Sequence, residues 1–131
     1  MASRQRPLSP HLQVYRWQIQ MVTSILHRVT GVVLSVGALL IGAAVVALLY
    51  GPEPWDWVRT AAASWPGLVF LFAWVWAFVY HLLNGIRHLV QDVGLGCSIP
   101  AFVRSSWLSV IGSVVLTVAI FAIAVLRGGL L

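Results

Sequence analysis

The chain has very few ionisable side chains for its length. Of its 131 residues only 8% are charged, comprising eight arginines, three acids and no lysine. A soluble domain normally carries about a quarter charged residues, so this chain has too few to cover a water-facing surface. Its hydrophobic content is 60% and its mean hydropathy is +0.93. These values predict an integral membrane protein.

Cysteine is also scarce, because Cys97 is the only one in the chain. A single thiol excludes an internal disulfide and a multi-cysteine metal cluster. The length of 131 residues leaves no room for a separate soluble catalytic domain, so we expect one domain over 1–131. The polar stretch over 1–20 is too long for a signal n-region, and Pro7 and Pro10 oppose a targeting helix. We therefore expect this stretch in the mature protein.

Long apolar runs are abundant. A helix needs about 20 apolar residues to cross the hydrocarbon core, and three segments provide them, at about 29–50, 66–90 and 107–126. The breaker-rich stretches GPEPWDW at 51–57 and GLGCSIP at 94–100 predict the intervening loops. Residues 1–28 form a polar arm and the approach to the first span. The sequence therefore predicts an all-α membrane protein with three transmembrane helices.

The arginines are unevenly distributed about these spans. Six lie on the side of the N-terminus and second loop, and two lie on the other side: Arg4, Arg6, Arg16, Arg28, Arg87 and Arg104, against Arg59 and Arg127. The positive-inside rule therefore places the N-terminus inside. Because the arginines are scattered at segment ends, nucleic-acid binding is not expected. Three helices bury few faces, and small residues such as Gly37 allow close packing, so we expect a partner membrane subunit to complete the bundle.

The second span carries two histidines on one face. His81, Gly85 and His88 are spaced i, i+4, i+7, which places them on the same side of a helix. An ionisable residue inside a span is a candidate functional site, and the alternatives are a haem or metal ligand, a proton relay and a structural histidine. Gly85 favours haem, because a missing side chain lets a flat macrocycle lie against the helix. Arg87 and His88 are then expected to meet the propionates.

A single helix cannot supply both axial ligands of one iron. His81 and His88 are about 10 Å apart along the axis at 1.5 Å per residue, and axial ligands approach from opposite faces of the ring. His27 and His11 are expected to lie too shallow to face His81. A second polypeptide is therefore expected to provide the other ligand.

Three motifs in order carry a family resemblance. RPLSPHLQVYRW at 6–17, SILHRVTG at 24–31 and HLLNGIRHLVQDVG at 81–94 together resemble the cytochrome b subunits of succinate dehydrogenase. The resemblance implies a membrane anchor that pairs with a second anchor subunit. Together the two hold an iron–sulfur subunit and a flavoprotein subunit, and the complex passes electrons from succinate to ubiquinone.

The resemblance also assigns residues. It makes His81 an axial ligand of haem b and makes Ser24 and Arg28 part of the ubiquinone site. A serine hydroxyl can donate to a quinone carbonyl, and a guanidinium can stabilise the anion formed as electrons arrive. His27 and Arg28 are expected near the haem propionates.

Other functions fit the same hydropathy. The nearest is a fumarate reductase anchor that uses another quinone. A haem-free structural subunit and a small proton-conducting bundle are further alternatives, but neither explains the SILHRVTG motif together with Gly85. We expect the protein in an inner membrane, with a bacterial one favoured over a mitochondrial one.

Overall fold

A computed structural model describes residues 15–128. This part of the chain forms four α-helices: α1 (Ile19–Tyr50), α2 (Pro52–Ala63), α3 (Trp65–Asp92) and α4 (Ile99–Leu126). The helices α1, α3 and α4 are each long and apolar enough to cross a membrane, and no strand occurs between residues 15 and 128. The all-α fold with three spanning helices, predicted from the hydropathy, is confirmed.

Two of the long helices begin well before their apolar runs. α1 starts at Ile19 and α4 at Ile99, whereas the apolar runs start near 29 and 107. The 32 residues of α1 give a length of roughly 48 Å at about 1.5 Å per residue, which exceeds the hydrocarbon core of about 30 Å. The SILHRVTG segment is therefore part of α1 itself, within its more polar first turns.

The prediction of a loop over 51–57 is wrong, because α2 begins there. Gly51 has a positive φ of 119° and ends α1, and Pro52 and Pro54 then lie in the first turn of α2. Proline is tolerated in a first turn, since its missing N–H would have no helical acceptor and its φ already suits a helix. An ion pair of 3.2 Å joins Arg59 and Asp56 on the exposed surface of α2.

Serine followed by proline two residues later starts both α3 and α4. Ser64 caps α3, since its Oγ accepts a hydrogen bond of 3.3 Å from the N–H of Gly67. Ser98 has the same position before α4 but makes no side-chain capping bond. The two helix starts therefore share a sequence pattern and differ in how their first N–H groups are satisfied.

The helices α1 and α3 run antiparallel and pack closely. Near their polar ends the Tyr80 hydroxyl donates a hydrogen bond of 2.8 Å to the Thr23 carbonyl. Further into the bundle the indole of Trp74 lies directly on Gly37. The absence of a side chain at Gly37 lets the two helices approach here, as the small residues of this span predict.

The helix α4 packs antiparallel to α3, with Phe72 near the start of α3 contacting Phe121 near the end of α4 at 5.0 Å between ring centroids. The outward faces are strongly apolar, and Leu39 and Leu49 of α1 are 75% and 81% exposed. Lipid or a second membrane subunit must cover such a surface. Because both α1 and α4 run antiparallel to α3, the start of α1, the end of α3 and the start of α4 lie at the same end of the bundle. These are the polar ends of the three helices.

Candidate functional site

Three histidines from two helices meet at this polar end. The rings of His27 and His81 are stacked, with centroids 3.9 Å apart and an angle of 11° between their planes. The ring of His88 is also close to that of His27, at 5.3 Å between centroids and an angle of 57° between the ring planes. A Cβ added to Gly85 would lie 3.7 Å from Cε1 of His27. His81, Gly85 and His88 thus face α1 from one side of α3, as their spacing predicts.

His27 lies deeper than the sequence suggests. Because α1 begins at Ile19, His27 is more than two turns inside the helix and level with His81. The expectation that it is too shallow to reach His81 is wrong. The two rings face each other through their π surfaces, however, so they cannot bind one iron from opposite sides of a macrocycle. His11 lies outside the described residues.

The imidazole of His81 is held against α1 at Nδ1. This nitrogen lies 3.1 Å from the carbonyl oxygen of His27 and 3.2 Å from Oγ1 of Thr30. A carbonyl can only accept, so Nδ1 donates this hydrogen bond. Nε2 makes no hydrogen bond with any residue between 15 and 128. The structure therefore leaves Nε2 of His81 available to bind a metal.

Ser24 and Arg28 lie one turn apart on α1, beside His27. Ser24 is half-buried and Arg28 is exposed. Within residues 15–128 neither side chain makes a hydrogen bond or an ion pair. The two polar groups are therefore adjacent to the histidines and remain accessible at the surface of this chain.

Arg87 is buried between the three long helices. It is only 7% exposed, and its Nε donates to Oδ1 of Asn84 at 3.0 Å. Nη1 donates to Ser106 on α4 at 3.0 Å, and Nη2 donates to Thr23 on α1 at 3.4 Å. Its Cζ lies 5.0 Å from the ring centroid of Phe102. The structure thus gives Arg87 an interior position that joins three helices, and its predicted contact with the propionates stays a prediction.

Several further residues hold these side chains in place, and their roles were not predicted from the sequence. Thr23 and Thr30 are both buried, and together with His27 they are spaced i, i+4, i+7 along α1. This is the same spacing as that of the α3 histidines, so the polar face of α1 was visible in the sequence. Asn84 and Ser106, in contrast, become significant only when the helices are assembled around Arg87.

Comparisons with known proteins agree with this arrangement. The family model described as "Succinate dehydrogenase/Fumarate reductase transmembrane subunit" matches residues 2–120. The succinate dehydrogenase cytochrome b556 subunit of Paracoccus denitrificans is 46% identical over 116 residues, which cover 86% of this chain and 87% of that protein. The mitochondrial succinate dehydrogenase cytochrome b560 subunit of Mus musculus is 40% identical over 118 residues, which cover 88% of this chain and 68% of the mouse protein.

A further relative is the cytochrome b556 subunit of Rickettsia bellii (strain RML369-C). It is 39% identical over 118 residues, covering 88% of this chain and 90% of that protein. The family match covers α1, α3 and most of α4, and together with the relatives it confirms the resemblance carried by the three sequence motifs. The chain belongs to the succinate dehydrogenase/fumarate reductase transmembrane subunit family.

Proposed function

We propose that the chain is a membrane anchor of succinate dehydrogenase that binds haem b through His81 and forms part of the ubiquinone site. The main support for the haem assignment is the hydrogen bond of 3.1 Å that Nδ1 of His81 donates to the carbonyl oxygen of His27. Metal-binding histidines are commonly oriented in this way, with one nitrogen donating to a carbonyl and the other binding the metal.

The residues present fit a haem with one protein ligand from this chain. Within residues 15–128 no group of three His, Cys, Asp or Glu side chains is arranged to hold a metal ion by itself, and a haem iron requires no such group. Nδ1 of His27 is buried without a hydrogen-bond partner in the described part of the chain. A buried polar atom without a partner is costly, and an anionic group of a ligand is a suitable partner for a ring N–H.

When bound, haem b supplies a one-electron redox centre. His81 would provide one iron ligand from this chain, and a second anchor subunit would provide the other. His27, Arg28 and His88 are proposed to bind the propionates, since Arg28 follows His27 in α1 and the ring of His88 lies 5.3 Å from that of His27. Arg87 is proposed as a further propionate contact, since its bonds to Asn84, Ser106 and Thr23 use three of its five N–H donors.

The ubiquinone site is proposed to include Ser24 and Arg28. The Ser24 hydroxyl donates to a quinone carbonyl, and the Arg28 guanidinium stabilises negative charge on the reduced ring before it is protonated. Their exposure on this chain suits a site that is completed by neighbouring subunits. We assign the N-terminus and the iron–sulfur and flavoprotein subunits to the inside surface.

The named relatives favour succinate oxidation over the fumarate reductase alternative, since they are called succinate dehydrogenase subunits. Two of the three are bacterial proteins, and we assign this chain to a bacterial inner membrane. Comparing ubiquinone with a lower-potential quinone as acceptor in the purified complex tests this choice. Faster turnover with the lower-potential quinone would support the alternative.

The haem assignment is tested by producing the chain with its three partner subunits. The reduced-minus-oxidised spectrum of the membranes should contain a b-type haem, which His81→Ala abolishes and His88→Ala retains. Both substitutions remove an imidazole from the same face of α3, so they should disturb the packing of this helix to a similar extent. An unchanged haem signal in an assembled His81→Ala complex would exclude His81 as a ligand.

The quinone assignment is tested with Arg28→Leu. A hydrogen bond to a charged group contributes about 1.5–3 kcal/mol, so succinate–ubiquinone reductase activity should fall about 10- to 100-fold. Succinate oxidation with an artificial acceptor should persist, because the flavoprotein does not depend on this residue. Arg104→Leu, which removes another exposed arginine near the polar end, is the control. Equal activities in the two variants would remove Arg28 from the site.

A further inference from the structure

We infer that Thr30 is a positioning residue for His81 and that its hydroxyl tunes the redox potential of the haem. The inference rests on the proposed function, since it takes His81 as an axial ligand. Thr30 is 2% exposed and lies on α1, so it acts on the haem only through the imidazole that α3 presents to it.

The direction of each hydrogen bond at Thr30 follows from its partners. The hydroxyl lies 2.8 Å from the carbonyl oxygen of Leu26 and 3.0 Å from that of His27, and both of these atoms can only accept. Its one proton is therefore directed at the helix backbone, and its oxygen presents a lone pair to Nδ1 of His81 at 3.2 Å. The N–H of His81 is thus shared between two acceptors, the Thr30 oxygen and the His27 carbonyl.

Two further contacts restrict the ring. The imidazole of His27 covers one face of the His81 ring at 3.9 Å. A Cβ on Gly31 would lie 3.2 Å from Cε1 of His81, so the ring edge rests against the backbone of α1. With one face, one edge and Nδ1 all in contact with α1, the direction of Nε2 is fixed by one short segment of that helix.

The two acceptors have different consequences. The His27 carbonyl belongs to the backbone, so no substitution removes it, and it keeps the proton on Nδ1. The Thr30 hydroxyl is the removable member of the pair. A ligating histidine that donates strongly from its other nitrogen is a more basic ligand, and this stabilises ferric over ferrous iron. Removing the Thr30 hydroxyl should therefore weaken haem binding and raise the midpoint potential.

The test is a redox titration of the haem in the purified four-subunit complex carrying Thr30→Val, which has nearly the same shape without the hydroxyl. Loss of such a partner typically weakens metal binding 10- to 100-fold. Because one acceptor remains, we expect about a tenfold loss. If that loss falls entirely on the ferric form, the midpoint potential rises by about 59 mV. The Thr30→Ser variant retains the hydroxyl and should titrate like the wild type.

Thr117→Val is the matched control for loss of a buried threonine hydroxyl. Thr117 is 0% exposed, and its hydroxyl donates a hydrogen bond of 2.7 Å to the Ser113 carbonyl of its own helix. The Thr117→Val substitution should therefore leave the midpoint potential of the haem unchanged. If Thr30→Val does not assemble, Thr30→Ala must give the same upward shift. A wild-type potential in an assembled variant lacking the hydroxyl overturns the inference, as does an equal shift in Thr117→Val. Haem that persists in His81→Ala overturns the proposed function instead.

Discussion

Replacing Gly37 with alanine should separate α1 from α3. An added Cβ would overlap Nε1, Cε2 and Cδ1 of Trp74, and these atoms belong to a rigid ring that is itself packed in the bundle. Overpacking of this kind costs about 1–3 kcal/mol, and the overlap with three ring atoms places it near the upper value. Alanine also gains about 1 kcal/mol of helix propensity over glycine. The net destabilisation is therefore about 2 kcal/mol.

Gly42→Ala in the same helix isolates the effect of the clash. A Cβ at Gly42 meets no atom within 4 Å, so this variant receives the propensity gain without the overlap. The two variants should differ by about 3 kcal/mol, or about 100-fold in the unfolding equilibrium. The assay is unfolding of the purified complex in mixed micelles with increasing dodecyl sulfate, followed by circular dichroism. Gly37→Ala that is as stable as Gly42→Ala would refute the reasoning.

Three further predictions concern other contacts. Arg87→Met and Asn84→Leu should each destabilise the complex, and the double variant should lose less than their sum by about 0.6–1.7 kcal/mol, measured by the same unfolding assay. Ser64→Ala should cost about 1 kcal/mol through loss of the cap, whereas Ser98→Ala, with no capping bond to lose, should cost less in the same assay. Gly31→Ala should displace the imidazole of His81, which packs on Gly31. It should increase the rate of haem loss, measured with an apoprotein acceptor, while the four subunits still assemble.

The spans and the histidine face were predictable because each depends on a local pattern. Apolar runs give the crossing helices, and the i, i+4, i+7 spacing gives the shared face of His81 and His88. The start of α2 was not predicted, because proline can either interrupt a helix or occupy the first turn of a new one. When a glycine such as Gly51 precedes the proline, the sequence does not show which of these two roles applies.

The environment of Arg87 was also not predictable from its own helix. Its position next to His88 in sequence suggests that Arg87 also lies on the polar surface. The arginine side chain is long enough, however, for its guanidinium to reach acceptors inside the bundle. Those acceptors come from α1 and α4, at Thr23 and Ser106. Their relation to Arg87 depends on how three helices cross, which the sequence alone does not give. The same holds for the Thr30 contact with His81.

The first three turns of α1 therefore combine the two proposed functions. His27 and Thr30 face α3 and fix the orientation of the imidazole of His81, while Ser24 and Arg28 lie on the adjoining face of the same turns. A change in the position of α1 would alter the haem ligand and the quinone contacts together. Substitutions that separate α1 from α3 should therefore lower haem content and quinone reductase activity in parallel.

The most direct test of the account is to change the iron ligand itself with His81→Met. A methionine–histidine pair raises the haem potential relative to two histidines. A redox titration of the purified complex should therefore show either a haem of clearly higher potential or no bound haem. The control Leu89→Met changes an exposed side chain of the same helix and should leave the haem bound with a potential close to that of the wild type. A haem in His81→Met that is bound at wild-type stoichiometry with a wild-type potential would contradict the central claim that His81 is an axial ligand.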